Sequence, residues 1–249
     1  MSFGACVKNS WKSALDVVRQ MPALFWGTVA FSMVTFMLLA PVQEGNAGSS
    51  GTGLGLLCYI ALSLLVVPML YIKVCRFVVL GEGTRPLMPM SGAPFGRYIL
   101  LSVIYGVAVG VAVLFVVILR GSISFNVIAL LGFAFSIASF YVVMRLGLLH
   151  VAIALGHRLE FRAAWRDSSG HFWSILIATS VALLPVFVAL MLVGMMVAVA
   201  ADVTDEANAF APLLQGFLMP LLVVQGASIL SWLYRRLAKD LASKAVERA

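Results

Sequence analysis

Six stretches of this chain, residues 21–40, 54–72, 98–119, 127–147, 172–200 and 212–234, are long, apolar and almost free of charge, with Arg145 the one ionised side chain inside them. A helix needs about 20 such residues to cross the hydrocarbon of a bilayer, so each stretch predicts a span. Lipid offers no hydrogen-bond partners to a backbone, and the spans must therefore satisfy their own amides as helices. The expected fold is all-α: a polytopic membrane protein of six transmembrane helices plus interfacial amphipathic helices. The remaining composition agrees, because 62% of the 249 residues are hydrophobic and only 11% are charged. A soluble domain carries about 25% charge. A soluble enzyme, a disordered chain and a disulfide scaffold are excluded on this ground. Pro68, Pro185 and Pro220 lie inside spans two, five and six, where a missing amide hydrogen predicts kinks.

Charge orients the six spans. Lys8, Lys12 and Arg19 precede the first; Lys73, Arg76, Arg85 and Arg97 follow the second; Arg145, Arg158, Arg162 and Arg166 accompany the end of the fourth; Arg235, Arg236, Lys239, Lys244 and Arg248 form the tail. These are all but one of the 17 lysines and arginines, and the exception, Arg120, falls on the opposite side with Glu44, Asp202, Asp205 and Glu206. By the positive-inside rule both termini are expected in the cytoplasm. The net charge of +7 then records orientation and contact with an anionic leaflet, not a nucleic-acid partner. Residues 1–12 lack the apolar run of a signal peptide, so the first span is expected to be retained.

Two segments outside the spans have helical amphipathicity. In residues 1–20, Phe3, Val7, Trp11, Leu15 and Val18 share one face at about 100° per residue, with Lys8, Lys12, Asp16 and Arg19 around the other. That pattern predicts a helix lying in the headgroup layer. In residues 158–171, continuing to Phe172, Phe161, Ala164, Trp165 and Phe172 are expected to share an apolar face. Arg158, Arg162 and Arg166 repeat every fourth residue beside it, a stripe suited to lipid phosphates. The expected division is thus an interfacial helix (1–20), a six-helix transmembrane domain (21–234) and a helical cytoplasmic tail (235–249), where Leu233, Leu237, Leu241 and Ala245 recur every four residues.

Arg145-Leu146-Gly147-Leu148, then Ala152-Ile153-Ala154-Leu155-Gly156, then Ala163-Ala164-Trp165-Arg166-Asp167-Ser168-Ser169-Gly170-His171-Phe172-Trp173 form a pattern over about 30 residues. It resembles a group of six-span bacterial inner-membrane proteins related to the membrane domain that precedes some glycerophosphoryl diester phosphodiesterases. Val151 stands where that group commonly has Pro, and Ser168 where it has Thr. The resemblance implies a bacterial inner-membrane location and no active residue; this chain has no phosphodiesterase domain. Read physically, Gly156 and Gly170 bracket an elbow that lays a helix on the membrane surface, and Arg145 reaches from the end of span four towards phosphates.

No catalytic constellation survives. Ser169-Gly170-His171 copies part of a lipid-phosphatase signature, but no second histidine follows to act as nucleophile. Ser228 and His150 are the conceivable pair for intramembrane proteolysis, yet His150 is expected at the cytoplasmic edge. His150, His157 and His171 have no metal-ligand spacing, and Cys6, Cys58 and Cys75 read as small apolar residues, so neither metal nor cofactor is expected. Within the spans Gln225 is expected to hydrogen-bond between helices, and Gly106 and Gly110 to form a close-packing face, within the bundle by default or else towards a partner. The functional expectation is a non-catalytic integral membrane protein acting in lipid organisation or envelope homeostasis. Anionic lipid of the cytoplasmic leaflet would be held by Arg145, Arg158, Arg162, Arg166, Lys8 and Lys12. The alternatives are an accessory or scaffold subunit bound to a membrane-protein partner and, behind it, a small-molecule or lipid transporter.

Overall fold

The computed structural model describes residues 3–43, 51–82, 93–119, 125–201 and 207–238. Among them there is no strand, and the order is α1 (Phe3–Gln20), α2 (Pro22–Gln43), α3 (Gly51–Ala61), a π-helical turn (Leu62–Val66), α4 (Val67–Leu80), α5 (Ala93–Leu119), α6 (Phe125–Ala154), α7 (Phe161–Asp167), α8 (Phe172–Ala201) and α9 (Ala207–Leu237). Five segments are long and apolar enough to cross a membrane: Pro22–Leu39, Gly53–Leu80, Leu130–Ala154, Phe172–Met195 and Pro212–Leu237. The expected third span falls on α5, which supplies a shorter apolar stretch, Pro94–Ala108. The expected external loops around residues 44–50, 121–124 and 202–206, together with Arg85, Arg120 and the tail from Lys239 onward, lie outside the described residues.

Local chemistry sets the breaks. Pro68 has no amide hydrogen, and the turn before it widens so that Val67 N donates to Leu62 O, five residues back. Gly81 ends α4 in the left-handed region at φ 65°, and its amide donates to Phe77 O at 3.1 Å. The elbow glycines behave as the sequence predicts, with Gly156 at φ 99° and Gly170 at φ 78°, conformations that a Cβ makes costly. α8 runs through Pro185, and α9 through Pro212 and Pro220.

Burial is concentrated at one end of the bundle. One core cluster joins Cys6 and Val17 of α1, Leu70 and Cys75 of α4, Leu148, Leu149 and Val151–Ala154 of α6, Ile175 and Ala182 of α8, and Ile229 and Leu233 of α9. The far half of α6 and the later turns of α8 stay exposed, with Leu130, Phe133, Leu184 and Met191 among the open side chains. Such surface suits lipid tails. The buried end is also where the described basic residues gather, so a packed basic base carries an apolar, lipid-compatible top.

The two amphipathic helices pack on the bundle through small side chains that adjoin the expected apolar faces. In α1 the buried positions are Cys6, Ser10, Ala14 and Val17, each one residue before a member of the expected stripe; Leu15 is 54% exposed. In α7 Ala163, Ala164, Asp167 and Ser168 are buried while Phe161 and Trp165 are exposed. The reason is the same in both. Where bulk apolar surface can rest in lipid, helix contacts select small side chains that allow close approach; Leu15, Phe161 and Trp165 turn outward, while Val7 and Val18 still pack, partly buried, against the core. α7 is also shorter than expected, so Arg158 precedes the helix and the three arginines do not form one helical stripe.

Glycine acts as a spacer elsewhere than expected. A Cβ on Gly216 of α9 would lie 2.4 Å from Met33 Cα of α2, and one on Gly55 of α3 would lie 2.7 Å from Leu38 O. By contrast Gly106 and Gly110 are exposed with nothing within 4 Å of an added Cβ, so they do not pack inside the bundle as expected. The inward face of α5 is formed by Tyr98, Leu101 and Tyr105, and the glycines sit round the helix from it.

Candidate functional site

The elbow between α6 and α8 is held by charge. Arg145 is 8% exposed, its guanidinium 4.1 Å from the centroid of the Trp165 ring and 5.5 Å from that of Tyr141. It donates to Tyr141 Oη at 3.1 Å and to the Trp165 carbonyl at 3.3 Å, while its Nε is buried without a hydrogen-bond partner. The expected reach of Arg145 towards phosphates is therefore replaced by a clamp that fastens α7 to α6. On the other flank Arg97 of α5 donates to the carbonyls of Gly156 and His157 at 2.9 and 3.0 Å, fastening the link just beyond the end of α6. These two arginines position the surface on which α7 displays its outer side chains.

That surface alternates cations and rings. Arg158, Phe161, Arg162, Trp165 and Arg166 are all exposed, and Trp173 at the start of α8 is 70% exposed. Lys8 and Lys12 are exposed on α1, at the same basic end. His157, half-buried in the link before α7, has its pKa pushed down by burial. Phe161, Trp165 and Trp173 are exposed apolar rings close in the chain to Arg158, Arg162 and Arg166.

α1 is tied down by polar contacts that span the molecule. Gln225 of α9 is buried, and its Nε2 donates to Ser10 Oγ at 3.2 Å and to the Ala182 carbonyl of α8 at 3.3 Å, the interhelical role expected of it. Trp232 Nε1 donates to Ser13 Oγ at 3.1 Å, and Arg235 stacks over the Trp232 ring at 4.8 Å. Ser10 and Ser13 of α1 thus supply two polar ties to α9.

His150 is not at an open edge. Its ring stacks on Tyr105 at 5.8 Å and meets Tyr98 and Tyr71 edge-on at 5.7 and 6.4 Å, with Nδ1 3.1 Å from the Leu146 carbonyl. Among the described residues no three His, Cys, Asp or Glu side chains gather as metal ligands would. The tyrosine cluster and the Arg97 contact were missed by the sequence reading. Their partners lie about 45 to 80 residues apart, and no local pattern joins them. No family model, curated protein or solved structure matches this chain.

Proposed function

We propose that the chain is a non-catalytic, multi-pass protein of a bacterial inner membrane that holds anionic lipid at its basic end, in the service of lipid organisation or envelope homeostasis. α5 provides the sixth span in this reading and both termini are cytoplasmic. The observation that carries it is the exposed surface of α7 and the link before it, where Arg158, Arg162 and Arg166 alternate along the chain with the exposed rings of Phe161 and Trp165. Lys8 and Lys12 on α1 extend the same basic layer. A basic residue near an anionic leaflet contributes about 1 kcal/mol. Replacing Arg158, Arg162 and Arg166 together by Gln is therefore expected to lower retained anionic lipid by at least tenfold in native mass spectrometry. Unchanged lipid occupancy would overturn the reading.

A second reading, an accessory or scaffold subunit, is favoured by one observation. Residues 133–138 of α6 are exposed around the whole helix, and Gly106 and Gly110 of α5 are open close by in the chain's order of helices. A helix bare on every side can accept another protein helix as readily as lipid. Purification in a gentle detergent is then expected to return a stoichiometric membrane partner, and recovery of a bare monomer removes this reading.

A further inference from the structure

Between α1 and α8 lies a groove of about 520 Å³, lined by Gly4, Val7, Lys8, Ser174, Ile177, Ala178 and Val181. Its floor is the buried Ala178, and Ile177 and Val181 rise from it as exposed apolar walls. Gly4 leaves the α1 side low, since an added Cβ there would meet nothing within 4 Å. Lys8 and Ser174 are the two polar members of the lining, and no acidic residue is among them. Lys8 is exposed, and Lys12 follows one turn later.

Lys8 and Ser174 are too few polar partners for a polar metabolite, which would lose most of its water against the remaining apolar lining. That lining suits an alkyl chain. A cation at the rim suits one anionic headgroup attached to that chain. We infer that this groove is a discrete site for one anionic phospholipid of the membrane, with an acyl chain along Val7, Ile177 and Val181 and the phosphate at Lys8. The inference rests on the reading of the chain as an anionic-lipid protein and gives that reading a second, separate site. α1 packs on the bundle through the buried Cys6, Ser10 and Ala14, and Gly4 and Val7 line the groove beside that contact.

The test uses the full chain in nanodiscs containing phosphatidylglycerol with a diazirine on its acyl chain, and phosphatidylcholine with the same group in a parallel sample. Photolysis is expected to label the peptides of α1 and α8 that contain Val7, Ile177 and Val181, about fivefold more with phosphatidylglycerol, as one cation near the surface predicts. Lys8→Gln is expected to bring phosphatidylglycerol labelling down to the phosphatidylcholine level. Gly4→Trp is expected to abolish labelling at those peptides with either lipid while leaving labelling elsewhere unchanged. Val181→Trp, at a half-exposed wall position, fills the groove from the other side and stands in if Gly4→Trp does not fold. Equal labelling by the two lipids, or labelling indifferent to all three substitutions, overturns the inference. If the groove variants are inert while the triple substitution of Arg158, Arg162 and Arg166 strips lipid, the groove falls and the wider reading stands. If both sets are inert, both fall.

Discussion

Gly216→Ala is expected to destabilise the protein by about 2 kcal/mol, although alanine is the better helix former. On propensity alone the exchange would stabilise a helix interior by up to about 1 kcal/mol. At Gly216 the added methyl would lie 2.4 Å from Met33 Cα and 2.5 Å from Met33 N, both backbone atoms that cannot rotate away. α2 and α9 would have to separate. The seam that parts is built for contact: Thr28, Ser32 and Thr35 are buried on α2, and each hydroxyl donates to the carbonyl four residues earlier, at 2.7–2.8 Å. Their hydrogen bonds are thus satisfied within the helix, and the surface shown to α9 is small and dry. Gly226→Ala is the control, because a Cβ there meets nothing within 4 Å and the propensity gain should appear undiminished. Thermal midpoints in one detergent, followed by tryptophan fluorescence, should move in opposite directions for the two variants. A stabilising Gly216→Ala would show that α2 and α9 do not approach this closely.

The contrast between Gly216 and the pair Gly106 and Gly110 shows where sequence reading stops. Spacing of glycines four apart marks a face that can pack closely, but not whether anything is there to pack against it. Gly216 has no glycine partner at that spacing, and its importance comes from Met33, about 180 residues earlier. The same limit explains α1 and α7. Their helical character, the bracketing glycines Gly156 and Gly170, and the bonding role of Gln225 were all legible, because each follows from composition or backbone chemistry within a few residues. The packed faces were not. Amphipathicity directs Leu15, Phe161 and Trp165 towards the headgroup layer, but it does not say that the small residues Cys6, Ser10 and Ala14 of α1 and Ala163 and Ala164 of α7 make the contact with the bundle. Apolar content located the membrane segments well, yet along α6 it could not separate the buried stretch Leu146–Ala154 from the exposed stretch before it, since both are equally apolar.

Arg145 carries the second large effect. Arg145→Gln removes a guanidinium held between Tyr141 and Trp165, with two hydrogen bonds, from a site that is 8% exposed. A desolvated cation–π contact contributes about 2 kcal/mol and each of the two hydrogen bonds about 1 kcal/mol, so a loss of about 4 kcal/mol is expected. The damage should be local. α7 is seven residues long and cannot hold itself as a helix, so its amides should exchange faster in the variant while those of α2 and α9 keep their protection. Arg145→Lys should not rescue it, because an ammonium on a flexible stem cannot lie flat on the indole and reach the Trp165 carbonyl and the Tyr141 hydroxyl together. This substitution separates two roles for the residue. If Arg145 contacted lipid phosphate directly, lysine would preserve both charge and lipid occupancy. If it positions α7, lysine and glutamine should both loosen α7, and retained anionic lipid should fall with its order. Wild-type exchange at α7 in Arg145→Lys would defeat the clamp and return Arg145 to the headgroup layer.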